Sequence, residues 1–195
     1  MPKTYHWQLL DNPLYTSFAS FPNLAGAAAF LFFRETSPYR KLLHMFKYNG
    51  ISEIGLYMGR LFGKELIHYY GTRCFCKEGT SPVLIPVPMS SVKRRKRGYN
   101  QAEWLAAGLS AATGWPVDVT AVARVTEKRS QTVFDKQARQ ENMKGAFLAK
   151  HLPYDEIILV DDVITTGATM ESCAGALRDK NPRVTLAFAS LAYVE

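Results

Sequence analysis

The chain has 195 residues, 47% of them hydrophobic and 21% charged, enough for one buried α/β core and ordinary for a globular protein. No apolar run nears the ~20 residues that cross a bilayer, and the opening MPKTYHWQLLDNP has no signal-peptide stretch, so a cytoplasmic location without membrane insertion is the expectation. A net charge of +7 and a pI near 9.3 favour anionic partners (phosphorylated metabolites, nucleotides or nucleic acid) without choosing among them.

Residues 1–36 are aromatic-rich and weakly patterned, and read as an N-terminal covering segment with a short strand near Ala29–Arg34. Ser37 then looks like an N-cap with Pro38 at the first helical position; Leu42, Leu43 and Phe46 share a face, and Asn49-Gly50 ends that helix. A second helix is predicted over about Glu53–Tyr70, with Ile54, Met58, Leu61, Phe62 and Leu66 at helical spacing. Cys74 and Cys76 form a C-x-C pair, and Cys173 stands alone. Without a second pair they read as thiols rather than a structural zinc site. PVLIPVP, Pro82–Pro88, is a buried strand cut short by proline, and KRRKRGYN follows it as a basic loop.

A helix is expected over Asn100–Ala112 with Ala102, Leu105, Ala106 and Leu109 inward. PVDVTAVARV reads as a strand, TEKRSQTVFDKQARQENM as a long polar loop, and KGAFLA as a short strand. EIILV, a loop, a helix Met170–Lys180 and the strand RVTLAFASLAYV complete the chain. Strands alternating with helices imply an α/β fold with a central mainly parallel sheet flanked by helices. Ligands bind such sheets beyond the strand carboxyl ends, where both the basic run and an acidic pair fall.

That pair, Asp161 and Asp162, follows the β-branched run Ile157–Val160. Neighbours on an extended chain point to opposite sides, so the two carboxylates are expected to differ in role. Thr165, Thr166, Gly167, Ala168 and Thr169 then open a helix whose inward face is Met170, Cys173, Ala174 and Leu177. Free N–H groups at a helix start, three hydroxyls and a glycine for close approach make a phosphate cradle. Acids repel phosphate but accept hydrogen bonds from a diol, so a ribose 5-phosphate fits both halves. The plain alternative is a capped helix start with two solvated aspartates. A Walker-type P-loop is excluded, because G-x-x-x-x-G-K-[ST] does not occur.

ILVDDVITTGAT resembles the phosphoribosyl-pyrophosphate (PRPP) signature of type I phosphoribosyltransferases. With RKLLHMFKYNG, LIPVPMSSVKRRKRGYNQAEWLA and RSQTVFDKQARQENMKGAF in order, the chain resembles the ComF family of competence-associated phosphoribosyltransferase-like proteins from about Tyr39 onward. The resemblance implies a type I phosphoribosyltransferase fold over 37–195. It also implies PRPP as ligand, Mg²⁺ accompanying it, and phosphoribosyl transfer with pyrophosphate release, a glycosyltransferase chemistry. Asp161 and Asp162 take the catalytic positions on the ribose hydroxyls, and Thr165–Thr169 takes the 5-phosphate. Lys93, Arg94 and Arg97, within the five-cation run Lys93–Arg97, meet the pyrophosphate; a nucleic-acid patch or a solvated loop is the alternative for that run. Arg129, Gln131, Arg139 and Asn142 match a mobile loop that would exclude water, or else are surface polars on a short helix.

Many ComF relatives carry a four-cysteine zinc ribbon at the N-terminus; no cysteine precedes Cys74 here, so no protein zinc site is assigned. The four histidines do not cluster, and His44, on an amphipathic helix, reads as structural. No motif identifies the acceptor. The opening MPKTYHW shows no N-terminal catalytic cysteine of the amidophosphoribosyltransferase kind. Three functions follow: transfer to an unidentified acceptor; a non-catalytic competence role in DNA uptake, with single-stranded DNA or a competence helicase as partner; or PRPP sensing without turnover. Self-association into a homo-oligomer stays open.

Overall fold

A computed structural model of the chain describes residues 2–9, 11–33, 45, 51–70, 81–125 and 145–194. In chain order its elements are α1 (Pro13–Ser17), β1 (Leu24–Phe33), α2 (Glu53–Tyr70), β2 (Val83–Pro86), α3 (Ser91–Arg97) and α4 (Gln101–Thr113). β3 (Val122–Arg124), β4 (Phe147–Ala149), β5 (Glu156–Ile164), α5 (Ala168–Lys180) and β6 (Thr185–Val194) follow. Apart from Met45, which is helical, the helix expected after Ser37 lies outside the described residues, as do the Cys74–Cys76 pair, His44 and the loop residues Arg129, Gln131, Arg139 and Asn142.

Four strands pair in the order β1-β6-β5-β2, all parallel. Burial explains why β5 and β6 lie inside: Ile157–Val160 and Leu186–Ala192 are buried on both faces, as a two-sided parallel strand requires. On one side Ile158, Val160 and Leu84 meet Met58, Phe62 and Leu66 of α2 and Leu105, Ala106 and Leu109 of α4. On the other, Ile157, Leu159 and Phe188 meet Met170, Cys173, Ala174 and Leu177 of α5, together with Leu14 and Phe18 from the N-terminal residues. This is the architecture expected from the sequence: a parallel sheet with helices on both faces. The inward faces predicted for the second helix, the Asn100 helix and the C-terminal helix are the buried ones.

Several element boundaries differ from the sequence reading. β1 runs from Leu24 rather than from near Ala29, and it forms an edge of the main sheet beside β6. The N-terminal residues cover that edge: Lys3 bridges Leu31 antiparallel, and Thr4 donates its amide to the Phe30 carbonyl at 3.1 Å. The basic run after β2 is a helix rather than a loop, because Ser90 caps it by accepting the Lys93 amide and Gly98, at φ 84°, ends it. PVDVTAVARV is not one strand. Val117 bridges Leu84 at the β2 edge, and Val122–Arg124 turns away to pair antiparallel with β4 in a separate two-stranded sheet.

Candidate functional site

β5 does not stop before the acid pair. Its partner β6 continues, setting Asp161 opposite Ser190 and Ile164 opposite Tyr193, so the strand runs through both aspartates. On the other flank β2 leaves. Its last register pair is Pro86 with Val160, Val87 donates to the Val160 carbonyl at 2.8 Å, and the chain departs toward α3. Beyond Val160 that edge of β5 no longer pairs with β2, and a cleft opens there.

The cleft, about 150 Å³, is bordered by Asp161 and Asp162 and by Lys93 and Arg97 of α3. A smaller pocket of about 40 Å³ lies against it, bordered by Asp161 and by the whole run Thr165–Thr169. Asp161, Val163 and Thr169 border both. Both acids thus face one cleft, where the alternation expected of a strand sets neighbours apart. The alternation slips here. Val160 and Val163, which a period of two would place on opposite faces, both pack toward α2 and α4. One oxygen of each carboxylate accepts the following amide at 2.8 Å, Asp162 N–H to Asp161 and Val163 N–H to Asp162. These bonds fix both carboxylates at the slip.

The threonine loop closes on Gly167, the N-cap of α5, at φ 77°. That conformation suits glycine, and the space demands it too: a Cβ would lie 2.5 Å from Cε1 of Phe18. Phe18 is buried and packs edge-on against Phe188 at 4.9 Å between centroids. The N-terminal segment therefore braces the loop from behind. The helix start directs N–H groups that have no intrahelical partner toward the small pocket.

On the opposite wall, Arg97 donates from Nη1 to Gln101 Oε1 at 3.1 Å; Gln101 is fully buried and borders the cleft, which orients the guanidinium there. Asn100 ties the two flanking loops together. Its Nδ2 donates to the Val87 carbonyl at 3.0 Å, and its Oδ1 accepts the Ala102 amide at 3.2 Å. Tyr99 lies beside this cluster. Burial raises its pKa, and the hydrogen bond with Gln101 and the charge of Arg97 partly offset that rise. Arg94 points elsewhere and pairs with Glu103 at 3.2 and 3.4 Å. Of the three cations expected at a pyrophosphate, the fold brings Lys93 and Arg97 to the cleft and gives Arg94 to a carboxylate.

Asn100, Gln101 and Arg124 also border the cleft and have no counterpart among the candidates read from the sequence. N-cap Asn100 is visible as a helix start but not as a cleft residue. Arg124 arrives from the separate small sheet, a placement that only the tertiary fold determines.

For a divalent cation, no cluster of three or more metal-ligating side chains occurs among the described residues. Two adjacent carboxylates beside a cationic wall suit Mg²⁺ arriving with a phosphorylated ligand, since this ion is commonly held by one or two carboxylates plus substrate phosphates. Among the described residues no helix is long and apolar enough to cross a membrane.

No family model matches the chain. Over 99 residues it is 38% identical to Competence protein F of Haemophilus influenzae, covering 49% of this chain and 43% of that protein. Over 142 residues it is 30% identical to DNA utilization protein YhgH of Escherichia coli strain K12, covering 72% of this chain and 61% of that protein. Over 147 residues it is 29% identical to Competence protein ComFC of Bacillus subtilis, covering 72% and 54%. The chain thus spans about half of the length of these curated relatives. Among solved structures, a glutamine PRPP amidotransferase of B. subtilis aligns at TM-score 0.43 and 19% identity, over 75% of this chain and 30% of that one.

Proposed function

The chain belongs to the ComF family of competence-associated phosphoribosyltransferase-like proteins, and on that premise we propose that it binds PRPP and transfers its phosphoribosyl group to an unidentified acceptor. One observation carries this reading: a cleft bordered by a cationic helix and two carboxylates adjoins, across Asp161 and Thr169, a small pocket formed by a threonine-glycine helix start. PRPP presents the complement in the same sequence, with a diphosphate, a ring diol and a 5-phosphate. Lys93 and Arg97 take the diphosphate, Asp161 and Asp162 accept hydrogen bonds from the 2′- and 3′-hydroxyls, and Thr165–Thr169 holds the 5-phosphate.

The bond from C1 to the pyrophosphate oxygen breaks, and pyrophosphate departs with the electron pair. The acceptor then bonds to C1 and gives up its proton. The ring passes through a cationic, oxocarbenium-like state of the kind met in glycoside cleavage. The acid pair stabilises that charge where it develops, and the α3 cations stabilise the leaving group. Asp161, Asp162 and the ligand's phosphates are the groups that would hold Mg²⁺, which when bound neutralises charge on the pyrophosphate.

The test is to incubate the full chain with PRPP, Mg²⁺ and a panel of bases and amines, following pyrophosphate and ligand binding in parallel. Acceptor-dependent release, lost in Asp161→Asn and Asp162→Asn, is the expected result. PRPP binding without release for any acceptor makes the protein a sensor, and failure to bind PRPP removes the reading altogether. A second reading, binding of single-stranded DNA, is favoured by the solvent-facing cations of α3 and by relatives named for competence and DNA utilization.

A further inference from the structure

Arg124 ends β3 and sits opposite Phe147 of β4. Its guanidinium carbon lies 5.2 Å from the centroid of the Phe147 ring, a cation–π distance that orients the side chain. Phe147 is itself buried against the α5 side of the core. The small sheet is held in place from its far end: Asn181, at the end of α5, donates Nδ2 to the Lys150 carbonyl at 2.9 Å and accepts the Leu152 amide at 2.8 Å. Arg124 is therefore fixed where it borders the cleft, beside Asp161, Asp162 and Thr169. Its charge reaches as far as Cys173, where it opposes the effect of Asp161 on the thiol.

Among the described residues Arg124 makes no ion pair, in contrast to Arg94, whose charge is spent on Glu103. A cation turned to a cleft and stacked on an aromatic ring, with no carboxylate among the described residues bonded to it, is set up for a ligand anion. Bidentate recognition of phosphate oxygens is the chemistry arginine does best. The 5-phosphate already has the threonine loop. The anion left for Arg124 is the diphosphate, which Lys93 and Arg97 approach from a different wall.

We propose that Arg124 is a third binding residue for the diphosphate arm of the ligand, so that this arm is gripped jointly by α3 and by the small β3–β4 sheet. The proposal rests on the PRPP reading of the cleft. The experiment titrates the full chain with PRPP and Mg²⁺ and, separately, with ribose 5-phosphate, which has the sugar and the 5-phosphate but no diphosphate. Arg124→Gln is expected to weaken PRPP about tenfold or more, the size of one charged hydrogen-bonding contact. Ribose 5-phosphate affinity should stay within about twofold, and Arg124→Lys should fall between the two proteins.

Equal loss for both ligands would mean that Arg124 acts only through the fold or through Asp161, and overturns the assignment; so does no loss for either. Circular dichroism of each variant separates misfolding from lost contact, and the lysine variant gives the answer if the glutamine variant is unstable. A wild-type chain that binds neither ligand refutes the PRPP reading itself. Wild-type binding that Arg124→Gln leaves unchanged refutes Arg124 alone.

Discussion

Cys173 sits close to Asp161, and its thiol cannot ionise readily there. Burial is the larger cause; the negative charge of Asp161 adds to it, and Arg124 offsets only part, so the thiol pKa is raised well above its ordinary value of 9.0. The sign of the consequence is fixed by proton counting. Below pH 9.0 both folded and unfolded chains keep the proton, and the residue adds no pH dependence. Above it the unfolded chain releases the proton while the native protein retains it. The native state then binds more protons, and stability falls as pH rises, by at most about 1.4 kcal/mol per pH unit. Denaturant unfolding of wild type and Cys173→Ala at about pH 8 and about pH 10 should show a steeper alkaline loss in wild type. Parallel losses would mean that the thiol titrates normally. The same burial predicts a native thiol that resists alkylation, since the thiolate is the reactive form.

At the scale of elements, the contact of α2 with α4 depends on two glycines facing each other. A Cβ on Gly108 would lie 2.3 Å from the Leu56 carbonyl oxygen and 2.8 Å from Cα of Gly59, both backbone atoms that cannot swing aside. Gly108→Ala should therefore push the helices apart and cost about 1–3 kcal/mol, the range for overpacking. Because α4 starts with Asn100 and Gln101 at the cleft, PRPP affinity should fall as well. Gly175→Ala is the control: no described atom lies within 4 Å of its Cβ, and the gain in helix propensity should raise Tm slightly. Equal Tm changes in the two variants would refute the close crossing. Although α3 lay hidden in the basic run, the helices α2, α4 and α5 were legible in the sequence, since apolar spacing and the Asn100 start are local signals. Strand ends were not. β5 runs past Val160 because β6 continues beside it, and PVDVTAVARV divides because Val117 and Val122 find different partners. Those limits are set by pairing at a distance, which periodicity does not report.

For the molecule as a whole, the candidate site was legible where one stretch carried it, as with the acid pair and the threonine loop, and hidden where three elements converge, as with Arg124 and Gln101. Helical geometry also divides the basic run, which composition alone treats as one charge. Lys93 and Arg97, four residues apart, share the face toward the cleft; Arg94 pairs with Glu103; Arg95 and Lys96 are exposed on the solvent side. This division lets the proposed phosphate binding in the cleft and the proposed DNA binding outside it be separated by mutation. If the second reading holds, single-stranded DNA binds with an affinity that falls steeply with salt, because each neutralised phosphate releases a counterion. Arg95→Gln with Lys96→Gln should weaken that binding and reduce the slope of log affinity against log salt by about 1.4, at roughly 0.7 for each lost contact on a single strand. PRPP affinity should stay within about twofold, since neither residue borders the cleft. Fluorescence anisotropy with a labelled oligonucleotide across a salt series measures both quantities. An unchanged slope in the double variant places the contact elsewhere, and no binding even at low salt withdraws the nucleic-acid reading while leaving the cleft untouched.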